Sequence, residues 1–240
     1  MQVVGDRKYK RVLLKLSGEF LMGDQNYGLD VKAVDRVAGE VASAYKKGYE
    51  ICMVIGGGNI FRGISAAAYG MHRAAADSVG MLATVMNSIA FQNSLEKIGV
   101  PTRVLSAIAM PNVCEAYIRR KALRHLEKRR VVICAAGSGN PYFTTDTAAA
   151  LRALELSCDV LIKATKVAGV FTTDPEKHTD AEFIEKISYK DVIEKDIRVM
   201  DQTAITLAKE NNMPIIVFSI KEAGNFEKVL SGEGRCSIIS

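Results

Sequence analysis

The sequence predicts an α/β fold: a three-layer sandwich with a mainly parallel central sheet and helices on both faces. Three observations carry this. Short, nearly continuous apolar runs alternate with segments of helical period from one end of the chain to the other, the pattern of strands covered on both sides. Several of the apolar runs end in a glycine turn, at Gly18, Gly56-Gly57-Gly58, Gly137-Ser138-Gly139 and Ala168-Gly169. The chain has 240 residues, 48% of them hydrophobic, enough for one large core, so residues 1–240 are expected to form one domain.

The first strand, Arg11-Val12-Leu13-Leu14-Lys15-Leu16, is apolar on both faces except for Lys15. An unpaired ammonium is costly to desolvate there. It is tolerable if its head reaches the strand's C-terminal mouth and meets an anion. After a polar loop, Asp30 can N-cap a helix whose apolar residues Val34, Val37, Ala38, Val41 and Tyr45 recur at a 3.6-residue period, and Gly48 stops it. A second buried strand spans 51–55. Residues 66–98 read as helix, with a break near Gly70 or Gly80. A strand at 102–105, a helix at 113–126 and a strand at 131–135 follow. A helix at 147–156 and a strand at 160–163 come next, and a last clear strand lies at 215–218. Ligands in such sheets bind beyond the strand C-termini, where these glycine turns fall.

Composition narrows the class. The first ten residues have no apolar core of a signal peptide, and no apolar run approaches the ~18 residues of a membrane span. The five cysteines show no C-x-x-C spacing and the three histidines are scattered. Buried reduced thiols, no protein-held metal and a cytoplasmic location are expected. The net charge is +5, and much of it lies in Arg119, Arg120, Lys121, Arg124, Lys128, Arg129 and Arg130. That cluster reads either as a solvated helix face or as an anion site for an effector nucleotide or nucleic acid. Only Tyr117 interleaves there, which weakens the nucleic-acid version. Residues 78–95 carry no charge at all, so this helix should be covered on most sides, with a subunit contact favoured over the core.

The glycine turns and Lys15 together suggest an enzyme that holds phosphates on backbone N–H groups, and two familiar phosphate signatures are excluded. No G-x-x-x-x-G-K-[ST] occurs, and Gly56-Gly57-Gly58-Asn59-Ile60-Phe61 lacks the third glycine of G-x-G-x-x-G. What remains is a constellation. Ser17, Gly18, Gly57 and Gly58 offer backbone N–H groups, with Lys15 and Arg62 as cations. Asp146 opens a helix, where it either complements the helix dipole or orients Lys15 or a metal ion. Asp77 is either solvated or a ribose acceptor. Asp174-Pro175 is an ordinary turn or, with Phe171 nearby, part of a nucleoside pocket.

Longer stretches sharpen this: Lys15-Leu16-Ser17-Gly18-Glu19, Val54 to Gly63, Met81 to Asn87, Gly139 to Asp146 and Ala164 to Val167. In these, over nearly its whole length, the chain resembles the bacterial uridylate kinases of the amino acid kinase superfamily. The resemblance implies ATP-dependent phosphorylation of UMP to UDP, with Mg²⁺ carried on ATP, in a homohexamer. It implies that Lys15, Leu16, Ser17, Gly18, Gly58, Arg62, Thr165, Phe171 and Asp174 bind ATP, with Lys15, Arg62 and Asp146 catalytic. Gly57, Asp77, Ser138, Gly139, Asn140, Pro141, Tyr142, Phe143, Thr144 and Thr145 would hold UMP. GTP as activator and UTP as inhibitor are implied effectors, with Arg103, Arg119 and Arg130 as candidate contacts. The chain departs from the family at Ser138, where Thr is usual and the hydroxyl is kept, and at Ala168, where a carboxylate is missing. Gln92, Glu96 and Arg119 also depart from the effector pattern, so a weaker GTP response is expected. Acetylglutamate and aspartate kinases fit the 139–146 stretch and Arg62 less well. A non-catalytic nucleotide-binding assembly would not need Lys15 and Asp146. A nucleic-acid regulator would rest on 119–130 alone.

Overall fold

The structure is a computed structural model that describes residues 8–61 and 70–240. Its strands are β1 (Arg11–Leu16), β2 (Glu50–Ile55), β3 (Thr102–Ser106), β4 (Glu115–Ala116), β5 (Val131–Ala135), β6 (Val160–Thr165), β7 (Val170–Phe171), β8 (Phe183–Ile184), β9 (Lys186–Ile187), β10 (Ile215–Ser219) and β11 (Cys236–Ile239). The α-helices are α1 (Val31–Lys46), α2 (Arg73–Lys97), α3 (Arg119–Glu127), α4 (Thr145–Glu155), α5 (Tyr189–Glu194), α6 (Gln202–Glu210) and α7 (Asn225–Ser231). Nine strands form one sheet in the order β4-β3-β5-β2-β1-β6-β10-β11-β9, and β7 and β8 make a separate hairpin. Every pairing in the large sheet is parallel except that of β10 with β11.

The strands divide their side chains between two cores. Val12, Leu14 and Leu16 of β1 face α1, α2 and α7, where Val37, Val41, Phe91 and Phe226 are fully buried. Leu13 faces the opposite layer with Cys52, Val132, Ala149, Ala153 and Leu161. Burial on both faces is why these strands read as unbroken apolar runs. The N-cap assigned to Asp30 is present: its Oδ1 accepts from Ala33 N at 2.7 Å.

Three local expectations change. The helix expected over 113–126 begins only at Arg119, because Glu115 and Ala116 pair with Leu105 and Ser106 to extend the sheet edge. The long helix runs unbroken from Arg73 to Lys97, through Gly80. Its packing outweighs the ~1 kcal/mol that an interior glycine costs. The part of that expectation falling on 62–69 lies outside the described residues. Helix α4 starts two residues early, at Thr145, because Thr144 Oγ1 caps it by accepting from Asp146 N and Thr147 N at 3.0 and 3.2 Å.

By length and composition α2 is apolar enough to cross a membrane. Its packing is that of a core helix: Thr84, Asn87, Ser88 and Phe91 are buried against the sheet and α1, and each of the three polar ones is hydrogen-bonded. One stripe, Val79, Leu82, Met86 and Ile89, is left exposed on this chain. Cys52 and Cys134 are buried free thiols, as their apolar runs predict, and so is Cys158, while Cys114 and Cys236 are half-buried.

Candidate active site

The sheet's sequence order reverses at β1, with β2 on one side and β6 on the other. Such a reversal leaves a crevice at the strand C-termini, because the connections diverge to opposite faces. Lys15 on β1 and Lys163 on β6 are register partners across it, on the same face. Helix α4 crosses that face and its first turn brings Asp146 to both. Lys15 Nζ lies 2.7 Å from Oδ1, and Lys163 Nζ donates to Oδ2 at 2.8 Å. The Lys15 contact is at ion-pair distance but off the hydrogen-bonding direction. The three side chains are only 10%, 13% and 15% exposed for Lys15, Asp146 and Lys163, so the charges act with little screening by water.

Burial pushes the Asp146 carboxyl up, but the charges of Lys15 and Lys163 outweigh it and hold the group below the usual aspartate value. Lys163 is lowered by its own burial and by the neighbouring Lys15, against the pull of Asp146. Asp146 is therefore both things the sequence allowed: a first-turn acid of a helix and the partner of Lys15.

Two residues of this cluster were missed from sequence. Lys163, at the end of the 160–163 strand, carries the same signal as Lys15, a lone lysine in an apolar run. Asp201 looks like an ordinary N-cap, and it does cap α6 through Ala204 N at 3.0 Å. Its carboxylate also accepts from Thr144 Oγ1 at 2.5 Å and Thr147 Oγ1 at 2.8 Å, which fastens α6 to the start of α4.

The glycine turns differ in purpose. Gly18 and Gly56 touch: a Cβ on Gly18 would lie 2.6 Å from Gly56 O and 2.2 Å from Asn59 Oδ1. A Cβ on Gly57 would meet Gly80 O at 2.8 Å, so this residue is what lets the turn sit on α2. Gly58 faces open space. At the end of β5, Ala136, Gly137, Gly139 and Tyr142 all have positive φ, two of them without being glycine, a conformation held at functional loops by surrounding contacts. The Ala168-Gly169 turn departs from the sequence reading. A Cβ on Gly169 would collide with Ser237 Oγ at 2.3 Å, so that glycine serves packing against β11.

Three cavities are lined by residues of this region. One of about 560 Å³ is bounded by Thr165, Val167, Phe171, Asp174 and Val199. One of about 420 Å³ has Asp146 and Lys163 in its wall and shares Val199 with the first. A third, of about 140 Å³, is lined by Gly57, Gly58, Asp77, Thr84, Ser138, Asn140, Phe143 and Thr145. It is smaller than the ~300 Å³ at which ligand pockets usually start, so a ligand there would extend toward exposed Tyr142 and Phe143.

Of the other expected site residues, Leu16 is fully buried and its carbonyl accepts from Gly56 N, so it offers a ligand no side chain. Ser17 Oγ accepts from Glu19 N and caps the short 3-10 helix Gly18–Leu21. Asp77 Oδ2 accepts from Tyr142 N at 2.8 Å and pairs with Arg73, so it already holds the 138–145 loop. Gly139 packs on Ala107, and neither Pro141 nor Thr144 lines the small cavity. Arg62 lies outside the described residues.

The three candidate effector arginines are each engaged within the chain. Arg103 pairs with Glu96 at 3.2 Å, Arg119 donates to Glu155 O, and Arg130 meets His125 Nδ1 at 3.1 Å. Arg119 and Arg130 flank opposite ends of the nine-residue α3, roughly 13 Å long. Tyr117 is not free to stack on a base: its ring covers the Arg152 guanidinium at 3.8 Å and its hydroxyl donates to Glu155.

Two lysines bridged by one carboxylate, with Asp146 in the wall of one cavity and Thr145 beside it in the wall of another that Gly57 and Gly58 also line, fit a phosphotransferase that holds two anionic substrates. The comparisons agree. Residues 10–219 match the model of the amino acid kinase family. A uridylate kinase of Paramagnetospirillum magneticum is 58% identical over 99% of both chains, and one of Roseobacter denitrificans is 60% identical over 94% of this chain and 93% of that one. The crystal structure of UMP kinase from Bacillus anthracis superposes with a TM-score of 0.93 at 38% identity, covering 97% of this chain and 96% of the other. The UMP kinase of Ureaplasma parvum gives 0.92 at 35%, covering 96% and 98%. The chain belongs to the amino acid kinase family, in its uridylate kinase branch.

Proposed function

We propose that this protein transfers the γ-phosphoryl group of ATP to UMP, yielding UDP and ADP, with residues 1–240 acting as one amino acid kinase-like domain. The observation that carries the reading is the Lys15–Asp146–Lys163 cluster, of which Asp146 and Lys163 line one cavity while Thr145, next to Asp146, lines the smallest. ATP places its nucleoside against Thr165, Phe171 and Asp174 and its phosphates on the N–H groups of Gly18 and Gly58. UMP lies along Gly57, Asp77 and the 138–145 loop. The acceptor phosphate has a second pKa near ~6, so at neutral pH it is already an ionised nucleophile and needs no general base. Phosphoryl transfer then demands alignment and positive charge on the equatorial oxygens. Lys15 and Lys163 supply the charge, and Asp146 keeps their heads fixed and tolerable in a dry site. Arg62 is assigned between the two nucleotides.

Among the described residues no group of three carboxylates, histidines or cysteines could hold a metal ion, and both oxygens of Asp146 face ammonium groups. Mg²⁺ is proposed to be carried on the triphosphate. GTP and UTP are the proposed effectors, and the cytoplasm the proposed location. The exposed stripe Val79, Leu82, Met86 and Ile89 on α2 supports an oligomer in which a neighbour covers it, and the resemblance makes a hexamer the proposed one.

The test is product analysis with ATP and a panel of UMP, CMP, dTMP, AMP and GMP. UMP should be preferred by a wide margin, because a polar site built for one base edge leaves groups unpaired with another, at a cost of up to ~10⁴-fold. Comparable kcat/KM for UMP and CMP, or no UDP formed, would overturn the reading.

A further inference from the structure

Two asparagines from the family-like stretches have no part in the mechanism above. Asn59 ends the second glycine turn and Asn87 sits midway along α2; they are 2% and 0% exposed. Their amides bond reciprocally: Asn87 Nδ2 donates to Asn59 Oδ1 at 2.7 Å, and Asn59 Nδ2 donates to Asn87 Oδ1 at 3.1 Å. Each amide has one N–H left. Asn87 gives it to Gly56 O at 2.6 Å, and Asn59 gives it to Gly28 O at 2.8 Å. All four N–H groups are thus spent, and three separate segments are joined at one point.

We infer that Asn59 and Asn87 are a positioning pair, a two-amide clamp that locks the Gly18 and Gly56–Gly58 turns into one phosphate cradle and sets its distance from the helix bearing Asp77. The inference rests on the proposed reading of those turns and of Asp77. Gly18 has its Cα against the clamp, since a Cβ there would lie 2.2 Å from Asn59 Oδ1 and 3.0 Å from Asn87 Nδ2. Gly56 N donates to Leu16 O at 2.8 Å, so the first turn follows when Asn87 holds the second. Asn87 is also fixed to the acceptor side, because Thr84, one turn earlier, accepts from Ala136 N at 2.8 Å at the head of the 136–142 loop. Burying two amides yields little net stability, since their bonds replace bonds to water. What such a satisfied network supplies is a single geometry. An in-line transfer between a donor on one turn and an acceptor on a helix requires that geometry.

Asn87→Asp keeps the shape and the acceptor for Asn59 but removes the donors to Gly56 O and Asn59 Oδ1. Asn59→Asp keeps the acceptor for Asn87 but removes the donors to Gly28 O and Asn87. A misplacement near 1 Å costs about 10²-fold, so kcat per folded molecule should fall by about that factor in both variants. KM for ATP and for UMP should each stay within about three-fold, because neither half-site loses a contact. A pair that is only structural would lower the melting temperature and the active fraction and leave kcat per folded molecule near wild type; that result overturns the inference. The wild-type enzyme gives a second readout that needs no variant to fold. Hydrogen exchange of segments 17–20, 56–60 and 84–88 should open as one unit. Three independent opening rates would equally overturn it. Wild-type enzyme that makes no UDP would defeat the functional reading instead, so the two failures are distinct.

Discussion

Lys15 and Lys163 face each other in register on neighbouring strands, and one carboxylate, Asp146, takes both ammonium groups. Like charges directly opposite on a sheet repel. The pair is stable because Asp146 lies between the two heads. Lys15 and Lys163 against Asp146 carry one net positive charge, partly offset at Lys163 by Asp201, and this charge lies beside the crevice where a phosphoryl group in transit accumulates charge.

Turnover should depend on all three. Lys163→Met should lose about as much kcat as Lys15→Ala, on the order of 10²–10³-fold, the range for removing one oriented donor to a transition-state oxygen. Asp146→Asn should lose a similar factor, since the amide keeps the shape without the charge. Single-turnover rates check this. A Lys163→Met enzyme with wild-type kcat would confine the chemistry to Lys15.

The same cluster sets an acid dependence. The folded pKa of Asp146 is held below its ordinary value of 3.8. The ion pairs' stabilising contribution is therefore complete above the unfolded value of about 3.9 and is lost as pH falls through the lower folded value. Urea midpoints of wild type and Asp146→Asn should differ most near neutral pH and converge in strong acid. A gap that stays constant into strong acid would remove Asp146 from the linkage.

Two glycines should answer substitution differently. Gly18→Ala places a methyl 2.2 Å from Asn59 Oδ1 and 2.6 Å from a backbone carbonyl, so it should destabilise by about 1–3 kcal/mol. Gly58→Ala meets nothing within 4 Å and should fold normally while weakening ATP, whose phosphate would lose the close approach. Thermal melts and KM for ATP separate the two. Equal loss of stability in both would contradict the assignment of Gly58 to the open cavity.

Asp77→Asn should raise KM for UMP more than KM for ATP, because charge-assisted bonds to a ribose are the stronger kind. Asn can still accept from Tyr142 N, so the loop should remain in place. Equal rises in both KM values would put Asp77 outside the acceptor site.

Effector response should separate from basal turnover. Arg103 is already paired with Glu96, so a triphosphate must displace that carboxylate. Glu96→Gln should strengthen GTP activation, and Arg103→Ala with Arg130→Ala should abolish it, both with basal kcat largely unchanged. The GTP affinity should fall with ionic strength. An unaltered GTP titration in the double variant would move the effector site elsewhere.

The layered sheet, the glycine-ended strands, Lys15 as an anomaly and Asp146 as its candidate partner are all legible in the chain. Local rules govern those features: strand burial shows as apolar runs, and a lone lysine in such a run must be compensated. Tertiary structure alone decided the rest. Lys163 became part of the site only because β6 lies beside β1, a neighbour relation that no local pattern encodes. The helix expected over 113–126 gave way at Glu115 because a sheet edge was waiting for it. Gly169 proved to be a packing glycine, and Gly18 a contact of Asn59 and Gly56, since the atoms that exclude a side chain come from distant segments. Asn59 and Asn87 look like unremarkable polar residues in the chain. Their amides acquire meaning only when folding buries them face to face, where each N–H must find a partner and those partners are the carbonyls of the turns.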